Sequence, residues 1–150
     1  MLKSVPIRLV LIDDHPVFLE GLTQALGRQR DLVVVGQGTD GTEALALWEE
    51  HRPDVLLLDL AMSGLNGLDT LARIRQRHPQ ARVLMLTSSD DGDDAVAALD
   101  GGAAGYVTKA ARYDELVDAI REVHAGGRPI GEADLLRAIR QELEKEGKGV

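Results

Sequence analysis

Apolar residues along this chain fall into two alternating rhythms. The first is a set of short continuous runs: Ile7 to Ile12 (broken only by Arg8), Leu32 to Val35, Val55 to Leu58, Val83 to Leu86 and Gly105 to Val107. Such runs of branched residues read as strands buried on both faces, the mark of parallel sheets. Between them, apolar residues recur at helical spacing: Val17, Phe18, Leu22, Ala25 and Leu26; Ala44, Leu45, Leu47 and Trp48; Leu68, Leu71 and Ile74; and Leu116, Val117, Ile120 and Val123. A shorter, weakly amphipathic helix is predicted over Ala95 to Leu99.

Proline and glycine punctuate these segments. Pro16 suits the first turn of a helix, and Pro53 and Pro79 stop the second and third helices. Gly36 to Gly41 reads as a turn, and Gly64 and Gly67 bracket a loop. Ser88 to Asp94 reads as an acidic loop, and glycine pairs at 101–102 and 126–127 end the last two helices. Five strand–helix repeats predict an α/β fold with right-handed crossovers. The expected architecture is a flavodoxin-like (βα)5 three-layer sandwich with parallel strand order 2-1-3-4-5, which sets the first and third strands side by side. Residues 1–127 form this unit. Residues 128–150 fall outside it, and Leu135, Leu136, Ile139 and Leu143 make a helical stripe there. That segment reads as a linker or an extra amphipathic helix, to dock on the domain, pair with a second copy or lead into a further domain.

Composition narrows the function. The 150 residues suffice for one domain with a real core. The formal net charge of −8 and a pI near 4.9 argue against this segment itself gripping nucleic acid or an anionic membrane. The chain has no cysteine, which excludes disulfides and thiolate metal sites. No apolar run approaches membrane-spanning length, and the first residues make a poor signal peptide, so a cytoplasmic location is expected.

The candidate chemistry lies at strand ends, where open α/β sheets place their ligands. Asp13 and Asp14 follow the first strand, Asp59 the third, Thr87 the fourth and Lys109 the fifth. Three carboxylates at one sheet edge repel one another by roughly 1–4 kcal/mol per close pair, depending on the local dielectric. A hard cation such as Mg²⁺ relieves that repulsion, and Lys109 and Thr87 add a fixed charge and a hydroxyl donor. The set suits a phosphate-like dianion beside a metal, with one carboxylate able to act as nucleophile. Taken singly, each residue has a plainer reading: Asp59 as a turn cap, Asp13 or Asp14 as the cap of the first helix, Thr87 as a strand-end hydroxyl, Lys109 as a surface lysine, Tyr106 as core. His15 has no histidine near it in sequence, and His51, His78 and His124 fall near helix ends, where surface positions are expected.

Four stretches carry a family resemblance: Leu11-Ile12-Asp13-Asp14-His15-Pro16, Asp54 to Leu60, Leu86-Thr87-Ser88 and Gly105-Tyr106-Val107-Thr108-Lys109. Over about residues 6 to 127 the chain resembles a response-regulator receiver domain of a two-component system, of the NarL/FixJ branch. The resemblance implies that Asp59 accepts a phosphoryl group from a sensor histidine kinase. It further implies that Asp13, Asp14, Asp59 and the backbone carbonyl of Ala61 hold Mg²⁺, and that Lys109 pairs with phosphoryl oxygens. Thr87 and Tyr106 would then switch the surface of helix four, strand five and helix five. Ala61 and Ser89 match positions that tune self-dephosphorylation. That branch continues into a DNA-binding output domain, and the charged residues 142–148 resemble the start of a linker, so the chain is read as the front part of a transcription regulator, with a natural single-domain regulator as the alternative. Two departures stand out: Ser63 replaces a usual proline, and residues 90–94 are unusually acidic.

Two other functions compete. A haloacid-dehalogenase-type phosphatase needs a second Asp two residues after the nucleophile, where this chain has Ala61. A phosphorylation-independent interaction module on the same fold would be expected to lack one or more of the five strand-end residues, all of which are present here.

Overall fold

The computed structural model describes residues 5–60, 66–88, 92–130, 139–140 and 142–145. Strands and helices alternate as the sequence pattern predicts: β1 (Ile7–Ile12), α1 (Pro16–Gly27), β2 (Leu32–Gly38), α2 (Gly41–His51), β3 (Val55–Asp59), α3 (Gly67–Arg77), β4 (Val83–Thr87), α4 (Gly92–Asp100), β5 (Gly105–Thr108) and α5 (Tyr113–His124). The five strands form one parallel sheet in the order β2-β1-β3-β4-β5.

Side chains leave a strand alternately to either face, and the core divides accordingly. Val10, Ile12, Leu56, Leu58, Val83, Met85 and Tyr106 pack toward α2, α3 and α4, with Trp48, Leu71, Ile74 and Ala98 opposite. Leu9, Leu11, Leu57, Leu84, Leu86 and Val107 pack toward α1 and α5, against Leu19, Leu26, Leu116 and Ile120. β3 and β4 are buried throughout. Their unbroken apolar runs therefore report a central position in the sheet.

Three local differences from the sequence pattern have physical causes. β2 runs on to Gly38, through residues expected to be a turn; the register shifts between Leu9 and Val10, and the ladder then continues to Ile12↔Gly38. Glycine fits closely at position 38, where a Cβ would come within 2.9 Å of Ile12 Cδ1 and 3.0 Å of Glu43 Cβ and make those side chains shift. α4 begins at Gly92, so part of the acidic stretch is helical rather than loop. Acidic residues in a first turn favour that, because a helix N-terminus carries partial positive charge. In α1, Val17 is exposed and Leu19 is buried. A residue five positions before Leu22 lies about 140° around the helix from it, outside the buried stripe.

Beyond α5, Pro129 accepts a hydrogen bond from the Tyr106 N–H, and Ile130 forms a parallel bridge with Tyr106. Residues 139–140 and 142–145 are helical and exposed, while Leu135 and Leu136 lie outside the described residues. Among the described residues, no helix is long and apolar enough to cross a membrane.

Candidate functional site

Strand pairing assembles the site. β1 and β3 are neighbours with Ile12 opposite Leu58, so Asp13 and Asp59 emerge side by side. β4 flanks the other side, with Asp59 opposite Leu86. The Lys109 N–H donates to the Thr87 carbonyl at 2.6 Å, which fixes the exit of β5 beside the end of β4. Adjacent parallel strands lie about 4.8 Å apart. Residues at or just past their ends therefore converge whatever their separation in sequence.

Asp13, Asp59 and Thr87 are all buried. Buried polar side chains carry a desolvation cost of several kcal/mol unless they are paired. Lys109 Nζ lies 2.7 Å from Asp13 Oδ2 and 3.4 Å from Asp59 Oδ2. The same ammonium sits 4.6 Å over the ring of Phe18, on α1. Asp13 also accepts from the backbone N–H of His15 at 2.9 Å, which shapes the turn into α1. Burial pushes the Asp13 carboxyl up, but hydrogen bonds from Lys109 and His15 outweigh it and hold the pKa below the usual carboxylate range. Asp13 is thereby kept ionised.

The loop after Asp59 is pinned at its far end. The Gly67 N–H donates to the Leu60 carbonyl at 2.9 Å, and the Asn66 side chain caps α3 by accepting from the Asp69 N–H at 2.8 Å. A Cβ on Gly67 would lie 2.4 Å from the Asp59 carbonyl oxygen. Only glycine permits that approach of helix to strand end.

The structure brings Asp13, Asp14, Asp59, Thr87 and Lys109 together at one edge, as expected from their strand-end positions. Tyr106 is fully buried on the α2, α3 and α4 face. Ala61, Ser63, Ser89, Asp90 and Asp91 lie outside the described residues. Two residues of the site were not legible beforehand. His15 places Nδ1 2.9 Å from Asp13 Oδ1 and 3.1 Å from Asp14 Oδ1, so its partners are the adjacent carboxylates and not another histidine. Phe18 packs against the core on the apolar stripe of α1 and also lies beside the site. Its position five residues after Asp13, on the first turn of α1, is the signal that could have placed it at the site.

The ligand atoms of Asp13, Asp14, His15 and Asp59 all lie within 4.8 Å of one another. Three carboxylates at this spacing fit a hard, oxygen-preferring divalent cation. The response regulator receiver domain family matches residues 9–121, most of the chain. The chain belongs to that family.

The receiver is similar to the nitrate/nitrite response regulator protein NarL of Escherichia coli (strain K12), with 36% identity across 97% of this chain and 70% of the relative. It is also 33% identical to the response regulator protein VraR of Staphylococcus aureus (strain Mu3 / ATCC 700698), covering 95% of this chain and 68% of that protein. Among solved structures, a LuxR-family two-component response regulator from Aurantimonas sp. SI85-9A1 superposes with a TM-score of 0.88 at 33% identity, over 92% of this chain and 99% of that one. The signal receiver domain of a NarL-type regulator from Mycobacterium tuberculosis gives 0.78 at 37% identity, over 82% and 99%. These likenesses place the receiver in the NarL/FixJ branch.

Proposed function

We propose that Asp59 is the phosphoacceptor and that a sensor histidine kinase is the donor. The observation that carries this reading is the buried Asp59 carboxylate at the end of β3, 3.4 Å from Lys109 Nζ and grouped with Asp13 and Asp14. In the transfer, the N–P bond of a phosphohistidine breaks as a bond forms from an Asp59 carboxylate oxygen to phosphorus. Catalysis of this kind is positioning and charge neutralisation. Asp13, Asp14 and Asp59 would hold Mg²⁺ together with the carbonyl of Ala61, and the ion supplies positive charge to the phosphoryl oxygens. Lys109 supplies a second positive charge, and Thr87 a hydroxyl donor from β4. Chemistry is limited to the domain's own phosphorylation and dephosphorylation.

The output rests on β5. Thr87 and Tyr106 are one strand apart, with Thr87 opposite Thr108 and Met85 opposite Tyr106. A change at Thr87 reaches Tyr106 through this pair of strands, and from there the α4, β5 and α5 surface. The same proposal divides the chain at 127, with 128–150 as a connector toward a transcriptional output, in a cytoplasmic regulator that is able to pair with a second copy. DNA contact would belong to that output and not to this acidic segment.

The test is incubation with acetyl phosphate, with and without Mg²⁺, on wild type and Asp59→Asn, read by intact mass and light scattering. The expected result is gain of one phosphoryl group only with Mg²⁺ and only in wild type. Equal incorporation in Asp59→Asn would refute the assignment. No incorporation in either protein would favour a phosphorylation-independent interaction module.

A further inference from the structure

At the end of the sheet opposite the phosphoacceptor, a cavity of about 410 Å³ opens beneath the starts of β4 and β5. Arg75 from α3, Arg82 just before β4 and Arg128 just after α5 line it, together with Gly102, Gly126 and Gly127. No acidic residue lines it, although the chain as a whole carries a net charge of −8. The cavity is separate from the site at Asp59. β4 has five residues between Arg82 and the far end, which at about 3.3 Å per residue is roughly 17 Å.

The three arginines have backbone partners. Arg75 donates to the carbonyls of Pro79 and Ala81, and Arg82 to that of His124. Arg128 donates to the carbonyls of Ala103 and Leu99. Among the described residues, none of the three is ion-paired with a carboxylate. The plain explanation is that they complement the C-terminal ends of α3, α4 and α5. Charge decides against that as the whole account. Each helix end contributes about half a negative charge, and the Glu122 carboxylate on α5 lies beside Gly127 at the cavity's edge, so the three arginines keep an excess of roughly half a positive charge. These bonds use one or two nitrogens of each guanidinium, which carries five N–H donors.

We propose that this cavity binds a compact multivalent oxyanion of the phosphate class. Arginine is suited to that task, because its planar fork of donors matches phosphate oxygens and its charge is permanent. The cavity volume falls within the range of small-molecule sites. The backbone bonds, two each for Arg75 and Arg128 and one for Arg82, hold the guanidiniums in place before a ligand arrives, so less side-chain freedom is lost on binding. Gly102, at φ 95°, lets Arg75 approach the turn between α4 and β5 closely; a Cβ there would come 2.7 Å from Arg75 Nε. A bound anion would therefore tie the end of α3 to the α4–β5 turn and to Arg128, where the chain leaves α5.

The probe is inorganic pyrophosphate in Mg²⁺-free buffer at low ionic strength, titrated into the full chain. Binding is followed by calorimetry and by the amide resonances of Gly102, Gly126 and Gly127. The expected result is one saturable event that shifts those resonances, is weakened at least tenfold by Arg82→Gln together with Arg128→Gln, and persists in Asp59→Asn. Arg82→Glu alone, a change at an exposed position, should weaken it further than Arg82→Gln. No saturable binding, or binding unchanged by the arginine variants, would overturn the proposal.

Discussion

Lys109 is held more closely by Asp13 than by Asp59, at 2.7 Å against 3.4 Å. The ammonium therefore neutralises the first-strand carboxylate as well as standing beside the proposed phosphoacceptor. Two unit charges 4 Å apart interact by about 4 kcal/mol at an effective dielectric near 20. A cation entering the acidic group has to overcome repulsion of that order from Lys109.

Lys109→Ala should accordingly bind Mg²⁺ more tightly than wild type, by about tenfold if a third of that repulsion is relieved. The same variant should take up phosphoryl groups more slowly, because the charge that meets the phosphoryl oxygens is gone. Calorimetric titration with Mg²⁺ and intact mass after acetyl phosphate treatment check the two halves. Weaker Mg²⁺ binding in the variant would mean that Lys109 organises the carboxylates more than it competes for them.

Phe18 positions that lysine. Its ring lies 4.6 Å from Nζ, and a cation–π contact at a partly buried site contributes about 0.5–2 kcal/mol. Phe18→Leu keeps an apolar side chain at the first turn of α1 but removes the quadrupole. The expected effect is a several-fold slower phosphoryl uptake, with the thermal midpoint lowered by no more than a few degrees. An unchanged rate would show that the ion pairs alone set the position of Lys109.

Gly67 is the steric hinge between β3 and α3. A methyl group there would meet backbone atoms of Asp59 and Leu60 at 2.4 to 2.8 Å, which no side-chain rotation relieves. Gly67→Ala should destabilise the fold by about 1–3 kcal/mol through overpacking. It should also impair phosphoryl uptake, because the strand end that carries Asp59 must shift. Denaturant unfolding together with acetyl phosphate labelling reads both effects. A variant as stable and as reactive as wild type would remove this constraint from the account of the site.

The strand-end residues were legible because an unbroken apolar run that stops at a charge, as Val55 to Asp59 does, reports both a central strand and its functional end. The βα alternation implied a parallel sheet, and the flavodoxin-like strand order, which alternation alone does not fix, set Asp13 beside Asp59. His15 and Phe18 were harder to read, because their roles depend on the direction in which α1 leaves the sheet. That direction is set by the hydrogen bond from the His15 N–H to Asp13 and by Pro16 opening the helix. The extension of β2 to Gly38 was hidden for a similar reason: its ladder continues past a register shift whose partner strand is remote in sequence. The arginine cavity joins residues 75, 82 and 128, and no local pattern links those positions.

A final prediction concerns acid stability. Arg121 on α5 holds Asp31, which precedes β2, through two hydrogen bonds of 2.7 and 2.9 Å. The hydrogen bond from Arg121 is the largest influence on the Asp31 carboxyl and lowers its pKa below the ordinary value of 3.8. A carboxylate whose folded pKa is depressed stabilises the fold above its unfolded pKa, and that contribution disappears as pH falls through the folded value. Both side chains are partly exposed, so solvent screening limits the pair to about 0.5–1 kcal/mol. Asp31→Asn should lower the thermal midpoint by about 2 °C at pH 7. Arg121 would still be able to donate to Gln29 in that variant, so the change isolates the ion pair. The gap between wild type and variant should stay constant down to about pH 4, close below it and shrink with added salt. A gap that persists unchanged at pH 2 would show that packing, and not the charge on Asp31, joins α5 to β2.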